Sequence, residues 1–315
     1  MFSKRPALFL LIVLLTIAGG LAYHLRTEGI FACDGSVYGD RRYLAYCNSV
    51  AFLNYDQGAF WYRLEEEAYQ NAVRAEVLFV GNSKTEFALS TEETDRWFSD
   101  HSISYFLFGF AHNETVVFFE PILKAMQPHA RAIIVHVDQM FEDRETPPMQ
   151  IIHDDPAAER IFRTKRLWQP VHRSFCTAFP AACGQHFGLH RDTTNGQWLF
   201  SGTEGRLDEP VQVGVGEAIE RDRWAGRQHR AERFVQSLPV DRSCVILTLI
   251  PSLNTRVDEA ESLAAFLNMP LISPRVQGLT SFDRNHLDER SASIWSTAFL
   301  NAAGPRIERC VKGVH

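Results

Sequence analysis

The centre of the fold is predicted by one stretch, Val77-Leu-Phe-Val-Gly-Asn-Ser-Lys-Thr-Glu-Phe87. Its first four residues, 77–80, are apolar and mostly β-branched or aromatic, which indicates a buried strand. Gly81 and Asn82 tolerate a sharp backbone turn, and a segment compatible with a helix follows Ser83. A serine between a strand and a helix suits a nucleophile, because its N–H lies at the positive end of the helix. The same serine could equally be a helix cap.

Strands and helices alternate on both sides of this stretch. Further strands are predicted at 103–110, 130–137, 244–250 and 270–273, and helices at 59–74, 90–97, 115–126, 257–267 and 287–302. This alternation predicts an α/β fold with a parallel sheet and right-handed crossovers. Strands that are apolar throughout are typical of a sheet covered on both faces.

Residues 142–240 interrupt the alternation. They are polar and are predicted to be rich in loops, with a hairpin signal at Asn195-Gly196 and a helix from about Val215 to Gln236. We therefore expect one α/β domain over 27–315, with an inserted subdomain at about 142–240. Long insertions at sheet ends often carry function, which makes substrate recognition the natural expectation.

The N-terminus, residues 1–26, is predicted to be a targeting segment. Lys4 and Arg5 precede an almost unbroken apolar run, 6–23, which is long enough to cross a bilayer as a helix. The basic flank predicts an uncleaved single-pass anchor in the inner membrane, with the remaining chain in the periplasm or extracytoplasmic space. A cleaved signal peptide remains the alternative, because Gly19-Gly-Leu-Ala22 offers small residues for cleavage.

The cysteines agree with an oxidising compartment, because an even number follows a translocation signal. The six are Cys33, Cys47, Cys176, Cys183, Cys244 and Cys310. Proximity along the chain suggests the pairs Cys33–Cys47 and Cys176–Cys183, which leaves Cys244 with Cys310. None has the paired spacing of a zinc site, and no metal or cofactor is expected.

The composition is that of an ordinary globular protein. The chain has 315 residues, of which 45% are hydrophobic and 22% charged, so it can bury a large core. Its formal net charge of -6 gives no reason to expect a nucleic-acid partner.

A second motif lies just before the last predicted helix, in Ser281-Phe-Asp-Arg-Asn-His-Leu-Asp288. The spacing of Asp283 and His286 lets the carboxylate hold the imidazole in one tautomer, which frees the other ring nitrogen to take a proton from a serine. Because the carboxyl ends of parallel strands share one edge, we expect both residues to lie near Ser83.

These motifs, in this order, resemble the SGNH (GDSL-like) hydrolase superfamily. Gly81-Asn82-Ser83 is similar to its first block and Asp283-Arg-Asn-His286 to its last, while Leu247-Thr-Leu-Ile-Pro251 looks like the strand-then-proline segment of membrane-anchored members. Those members include relatives of the alginate O-acetyltransferase proteins of exopolysaccharide export. The resemblance spans roughly 75–140 and 240–305. It implies a flavodoxin-like three-layer α/β/α fold with Ser83, Asp283 and His286 as catalytic residues.

The resemblance also implies an oxyanion hole. The superfamily uses the serine N–H, a glycine N–H after the second strand, here Gly109, and an asparagine side chain after the third strand. At that third position the chain has Val135-His-Val-Asp-Gln139, and an ionised Asp138 would repel an oxyanion. Gln139 or Asn113 is expected to supply the missing amide.

Other polar residues carry weaker signals. His112, His136, His153 and His172 share no metal-binding spacing and are expected to be structural or exposed.

The sequence therefore predicts an extracytoplasmic esterase or O-acyltransferase. Its expected substrate is an acylated envelope carbohydrate, with acetyl as the expected acyl group, or another small ester, and envelope polysaccharide machinery is a candidate partner. The alternative is a non-catalytic SGNH-like scaffold or binding component of such a machine.

Overall fold

The structure, a computed structural model, describes residues 6–202, 211–213, 224–253 and 255–313. The helices are α1 (Pro6–Thr27), α2 (Tyr55–Trp61), α3 (Glu66–Arg74), α4 (Ser83–Leu89), α5 (Glu92–Asp100), α6 (Val116–Met126), α7 (Pro147–Asp154), α8 (Ala158–Ala178), α9 (Trp224–Ser237), α10 (Val257–Leu267) and α11 (Glu289–Lys312). The strands are β1 (Arg42–Cys47), β2 (Val77–Asn82), β3 (Tyr105–Phe110), β4 (Ala132–His136), β5 (Gly188–Asp192), β6 (Trp198–Ser201), β7 (Val211–Gln212), β8 (Val245–Thr248) and β9 (Thr280–Ser281).

The central sheet has four parallel strands in the order β3-β2-β4-β8. The predicted fifth strand at 270–273 is reduced to a single parallel bridge, Leu271 beside Leu247 of β8. Gly81 is level with Gly109 in the β2–β3 pair, so both strands end at the same edge of the sheet. Ser83 begins α4 at this edge.

Helices cover both faces of the sheet, as the apolar strands predict. Leu78 and Val80 of β2 point into a core shared with α2, α3, α6, α9 and α10, whereas Val77 and Phe79 point into a core shared with α4, α5 and α11. This alternation follows from the two-residue period of a strand. The architecture is mixed α/β and compatible with three layers.

A second sheet is antiparallel, in the order β1-β5-β6. The hairpin signal at Asn195-Gly196 is confirmed, because those residues lie in the loop that joins β5 to β6. The sheet pairs β1, from the segment before the parallel sheet, with the inserted strand β5. Residues 42–47 and the inserted hairpin therefore form one unit.

Two expectations about helices were wrong. The insertion is not mainly loops: α7 and α8 occupy much of its first part, and α8 alone has 21 residues. The single helix predicted over 59–74 is divided into α2 and α3, with Arg63 between them in the left-handed region at φ 52°. The helix predicted from about Val215 is described only from Trp224, and 215–223 lie outside the described residues.

Three disulfides join the cysteines in the expected pairs. The Cα–Cα distances are 6.0 Å for Cys33–Cys47, 5.7 Å for Cys176–Cys183 and 5.6 Å for Cys244–Cys310. The last bridge ties the start of β8 to the end of α11.

The N-terminal helix α1 stands apart from both cores, and none of its residues is buried. Its 22 residues contain a window with a mean hydropathy of 2.2, enough to cross a membrane by length and composition. A signal sequence meets the same criterion. With the disulfides, the helix is compatible with a single-pass protein whose main domain is extracytoplasmic.

Candidate active site

Ser83 is placed by an abrupt change from strand to helix. Gly81 is required there, because a Cβ atom would lie 2.1 Å from Thr85 Oγ1 and 2.9 Å from the Cβ of His136. Asn82 is extended and caps α4, its side-chain oxygen accepting the Lys84 N–H at 3.0 Å. The cap on α4 is therefore Asn82, and Ser83 is free of the capping role that the sequence left open.

The loop between β9 and α11 places His286 against Ser83. Asp283 Oδ1 accepts the backbone N–H groups of Asn285 at 2.9 Å and His286 at 2.8 Å, which closes a tight turn. Asp283 Oδ2 lies 2.6 Å from His286 Nδ1, and His286 Nε2 lies 2.7 Å from Ser83 Oγ. The structure thus brings the three predicted catalytic residues into one hydrogen-bonded chain across 203 residues of sequence.

The electrostatics of Asp283 fit this chain. Its partial burial would raise its pKa, but hydrogen bonds and charge attraction from His286 and a backbone hydrogen bond from Asn285 outweigh burial, so the pKa lies below its ordinary value. A carboxylate only accepts hydrogen bonds, so His286 Nδ1 carries the proton. His286 Nε2 is then the acceptor for the Ser83 hydroxyl, the tautomer a general base requires.

An open cavity of about 290 Å³ adjoins Ser83, Asp283 and His286. Most of its remaining wall is apolar, formed by Phe87, Ala111, Phe187, Leu189 and Phe282, with Tyr46 and His112 as further polar residues. Tyr46, Phe187 and Leu189 lie in or next to the antiparallel sheet.

The Gly109 N–H, expected to face an oxyanion, has another partner. It donates to Glu86 Oε1 at 2.7 Å. Glu86 is fully buried on α4 and needs such donors, and it also accepts from Arg191 Nη1 at 2.9 Å. The Gly109 expectation is therefore corrected: in this structure its N–H is engaged inside the protein.

The other oxyanion candidates also lie outside the cavity wall. The described residues that line the cavity include Ser83, but not Asn113 or Gln139. Both have left-handed backbones, with φ of 52° and 54°. The neighbouring Asp138 is paired with Lys84, whose ammonium outweighs burial and keeps the Asp138 pKa below its ordinary value. Of the residues predicted to form the oxyanion hole, only Ser83 borders the cavity.

His112, which was expected to be structural or exposed, lies in the wall of the cavity. Its Nε2 atom is buried and has no hydrogen-bond partner among the described residues. Burial also lowers the pKa of His112, which favours the neutral form of the ring. His112 follows the end of β3, so the shared carboxyl edge of the parallel sheet is the signal that could have placed it near Ser83.

The remaining candidate histidines have structural surroundings. His136 is buried and accepts the Ile250 N–H at 3.3 Å, and burial lowers its pKa to about 4. His172 contacts the Tyr38 hydroxyl at 2.9 Å. His153 lies near the surface, 2.9 Å from Glu145. Within the described ranges, no three His, Cys, Asp or Glu side chains are grouped to hold a metal ion.

Comparisons of the chain with protein-family models, with curated proteins and with solved structures give no match.

Proposed function

We propose that the chain is an extracytoplasmic ester hydrolase or O-acyltransferase that uses Ser83, His286 and Asp283. The observation that carries the proposal is the continuous hydrogen-bonded chain from Ser83 Oγ through His286 to Asp283, at the edge of an open cavity. Serine nucleophiles are recognised by this geometry rather than by sequence position.

The reaction follows from the proton positions. Ser83 Oγ attacks the ester carbonyl carbon while His286 Nε2 takes the hydroxyl proton, and Asp283 remains ionised beside the resulting imidazolium. The alcohol leaves with that proton, and the acyl group stays on Ser83 as a new ester. Water or an acceptor hydroxyl then attacks this ester, giving its proton to His286 as Ser83 Oγ is released and reprotonated.

The strand order and helix α1 support the proposed fold family and cellular location. The order β3-β2-β4-β8 puts the first strand of the sheet inside, with Ser83 at its carboxyl end, as in doubly wound flavodoxin-like sheets. This order supports an SGNH-like three-layer fold. Helix α1 would anchor the domain on the periplasmic side of the inner membrane, where acylated envelope carbohydrates are the substrates that the resemblance implies.

A second candidate is a non-catalytic binding component, favoured by one observation. The Gly109 N–H is occupied by Glu86, so the Ser83 N–H would be the oxyanion donor that the cavity offers. Loss of one donor costs about 10²–10³ in rate. The proposed enzyme is therefore expected to have a low turnover rate. The second candidate is the extreme case, in which the site binds its ligand without turnover.

A covalent probe separates the two candidates. The full-length chain in lipid nanodiscs is treated with a fluorophosphonate, and we expect labelling of Ser83 that is lost in Ser83→Ala and strongly reduced in His286→Ala. Ser262→Ala, at an exposed serine on α10, is the matched control and should label normally. Absence of labelling at Ser83 in the folded wild-type chain would favour the binding component.

A further inference from the structure

We propose that the cavity beside Ser83 selects an apolar acyl group larger than acetyl, a medium-length aliphatic chain or an aromatic ring. This inference rests on the proposed function for the position of the ester, because the cavity opens at Ser83. It departs from the acetyl group that the sequence suggested.

Two aromatic rings pack beside the His286 imidazole. The ring centroid of Phe87 lies 4.5 Å from that of His286, and the Phe282 centroid lies 5.8 Å from it. Phe87 and Phe282 are 5.2 Å apart, and Phe187 is 6.4 Å from Phe87 on its other side. An ester held at Ser83 would therefore lie beside a wall of these three phenylalanine rings, two of which pack against His286.

Few polar groups face this wall. Apart from Ser83, Asp283 and His286, the described lining residues with polar side-chain atoms are Tyr46 and His112. A sugar ring carries several hydroxyl groups, and each needs a partner when it leaves water. Two side chains cannot satisfy them, whereas an apolar chain or ring needs none. The chemistry of the wall thus favours an apolar group.

The size of the cavity agrees with this selection. Its volume of about 290 Å³ is near the lower end of the roughly 300–1,000 Å³ typical of small-molecule sites. The methyl of an acetyl group would leave most of this space unfilled. Residues 42–47 and the inserted hairpin help to close the space, through Tyr46, Phe187 and Leu189, so the insertion shapes specificity.

The expected preference follows from apolar burial. Each methylene moved from water into the cavity contributes about fourfold to kcat/KM while the cavity has room. Butyrate, with two more methylenes, should then exceed acetate by about 16-fold, and hexanoate, with four more, should exceed it by about 250-fold.

Two ester series test whether the acyl part or the alcohol part of the ester occupies the apolar cavity. The full-length chain in nanodiscs is assayed with p-nitrophenyl acetate, butyrate and hexanoate, and separately with ethyl, butyl and hexyl acetate. We expect kcat/KM to rise with the acyl chain and to change little with the alcohol. A rise only in the alcohol series would overturn the acyl assignment, and a fall from acetate to hexanoate would overturn the inference as a whole.

A cavity variant ties the preference to the wall. Phe187→Ala should lower the hexanoate-to-acetate ratio by about three- to tenfold, because it removes part of the apolar surface. Phe179→Ala is the matched control, since this ring is 60% exposed and lies outside the cavity wall. An unchanged ratio in a folded Phe187→Ala chain would contradict the assignment of the wall.

A binding measurement keeps the inference separate from catalysis. Ser83→Ala is titrated calorimetrically with hexanamide and with acetamide, neutral analogues that retain the carbonyl. Hexanamide should bind at least about tenfold more tightly. Equal binding of the two amides would refute the proposed selection of an apolar acyl group, even if Ser83 of the wild-type chain reacts with a fluorophosphonate. Tighter hexanamide binding supports the cavity even if Ser83 proves unreactive, in which case only the proposed catalysis fails.

Discussion

Arg191 joins the insertion to the helix that carries Ser83, and its removal gives a sharp test of the structure. Its side chain is fully buried, and it binds Asp56 through Nη2 at 2.7 Å and Glu86 through Nη1 at 2.9 Å. It also donates to three backbone carbonyls, those of Leu107, Gly109 and Gly196. One guanidinium thus connects α2, α4, β3 and the inserted hairpin.

The magnitude follows from what Arg191→Met would leave behind. Asp56 is 2% exposed and Glu86 is 0% exposed, so neither carboxyl group could replace the guanidinium with bulk water. Breaking a buried ion pair by removing one partner typically costs about 3–5 kcal/mol. Because the Asp56 carboxylate loses its ion pair, and the Glu86 carboxyl group and three backbone carbonyls each lose a hydrogen-bond donor, we expect a loss at the upper end, about 4–5 kcal/mol. That is a large part of the roughly 5–15 kcal/mol that stabilises a typical protein.

The measurement is denaturant unfolding of the full-length chain, followed by tryptophan fluorescence, with the rate of fluorophosphonate labelling as a second readout. Labelling should slow, because Glu86 lies on the helix that begins with Ser83. Arg275→Met is the matched control: Arg275 pairs with Glu261 at 2.8 Å, but the two side chains are 78% and 55% exposed. That variant should stay within about 0.5 kcal/mol of wild type.

A combined variant identifies the cause. If the cost arises from uncompensated charge, Asp56→Asn with Glu86→Gln in the Arg191→Met background should recover much of the lost stability. An Arg191→Met chain within about 1 kcal/mol of wild type would refute the role assigned to this buried cluster.

The remaining predictions concern pH, the base and a disulfide. Burial raises the pKa of Glu86 to about 8, from 4.5, against the opposing effect of Arg191, so the folded state holds a proton that the unfolded state releases. Stability from this group is complete below about pH 4.5 and is lost as pH rises through about 8, by at most about 5 kcal/mol, and Glu86→Gln should flatten this slope in unfolding curves. Asp283→Asn should slow labelling of Ser83 by about 10⁴, since it favours the wrong His286 tautomer. Replacing Cys244 and Cys310 by serine should cost about 4 kcal/mol in denaturant unfolding, because their bridge closes a separation of 66 residues.

Each of these has a contrary outcome. An equal pH slope in wild type and Glu86→Gln would show that another group titrates over this range. Labelling of Asp283→Asn at the wild-type rate would remove Asp283 from the proposed base. The Cys176–Cys183 bridge closes a separation of only 7 residues, so its loss should cost less, about 2 kcal/mol, and the reverse order would contradict the loop-closure account.

The parallel sheet and the Ser83–His286–Asp283 cluster were accessible from sequence because their signals are local. A buried parallel strand is an apolar run, and Gly81-Asn82-Ser83 directly follows one. Asp283 and His286 are three residues apart and form their own turn. Only the meeting of the two segments is long-range, and the shared carboxyl edge of a parallel sheet predicts it.

The antiparallel sheet was not accessible in this way. Its strand β1 pairs Arg42 with Asp192 and Cys47 with Gly188, so the sheet joins two segments that lie far apart in the sequence. No short pattern in either strand specifies the other. Helix α8 was missed for a related reason: it has many polar residues, and two of its few buried ones, Gln169 and His172, bond to backbone oxygens of the distant Leu44 and Cys33.

The engagement of the Gly109 N–H by Glu86 has a consequence for the reaction proposed at the cavity. A glycine at the end of β3 was predicted from the resemblance, but the partner of its N–H depends on Glu86 and, through Glu86, on Arg191 of the insertion. In the proposed reaction, with that donor engaged, less of the rate can come from oxyanion stabilisation, so more would have to come from binding that is realised in the transition state. An apolar acyl group held against Phe87 and Phe282 can supply it, because both rings also border His286. Shortening the acyl group should therefore lower kcat as well as raise KM, whereas a cavity that only captured substrate would change KM alone.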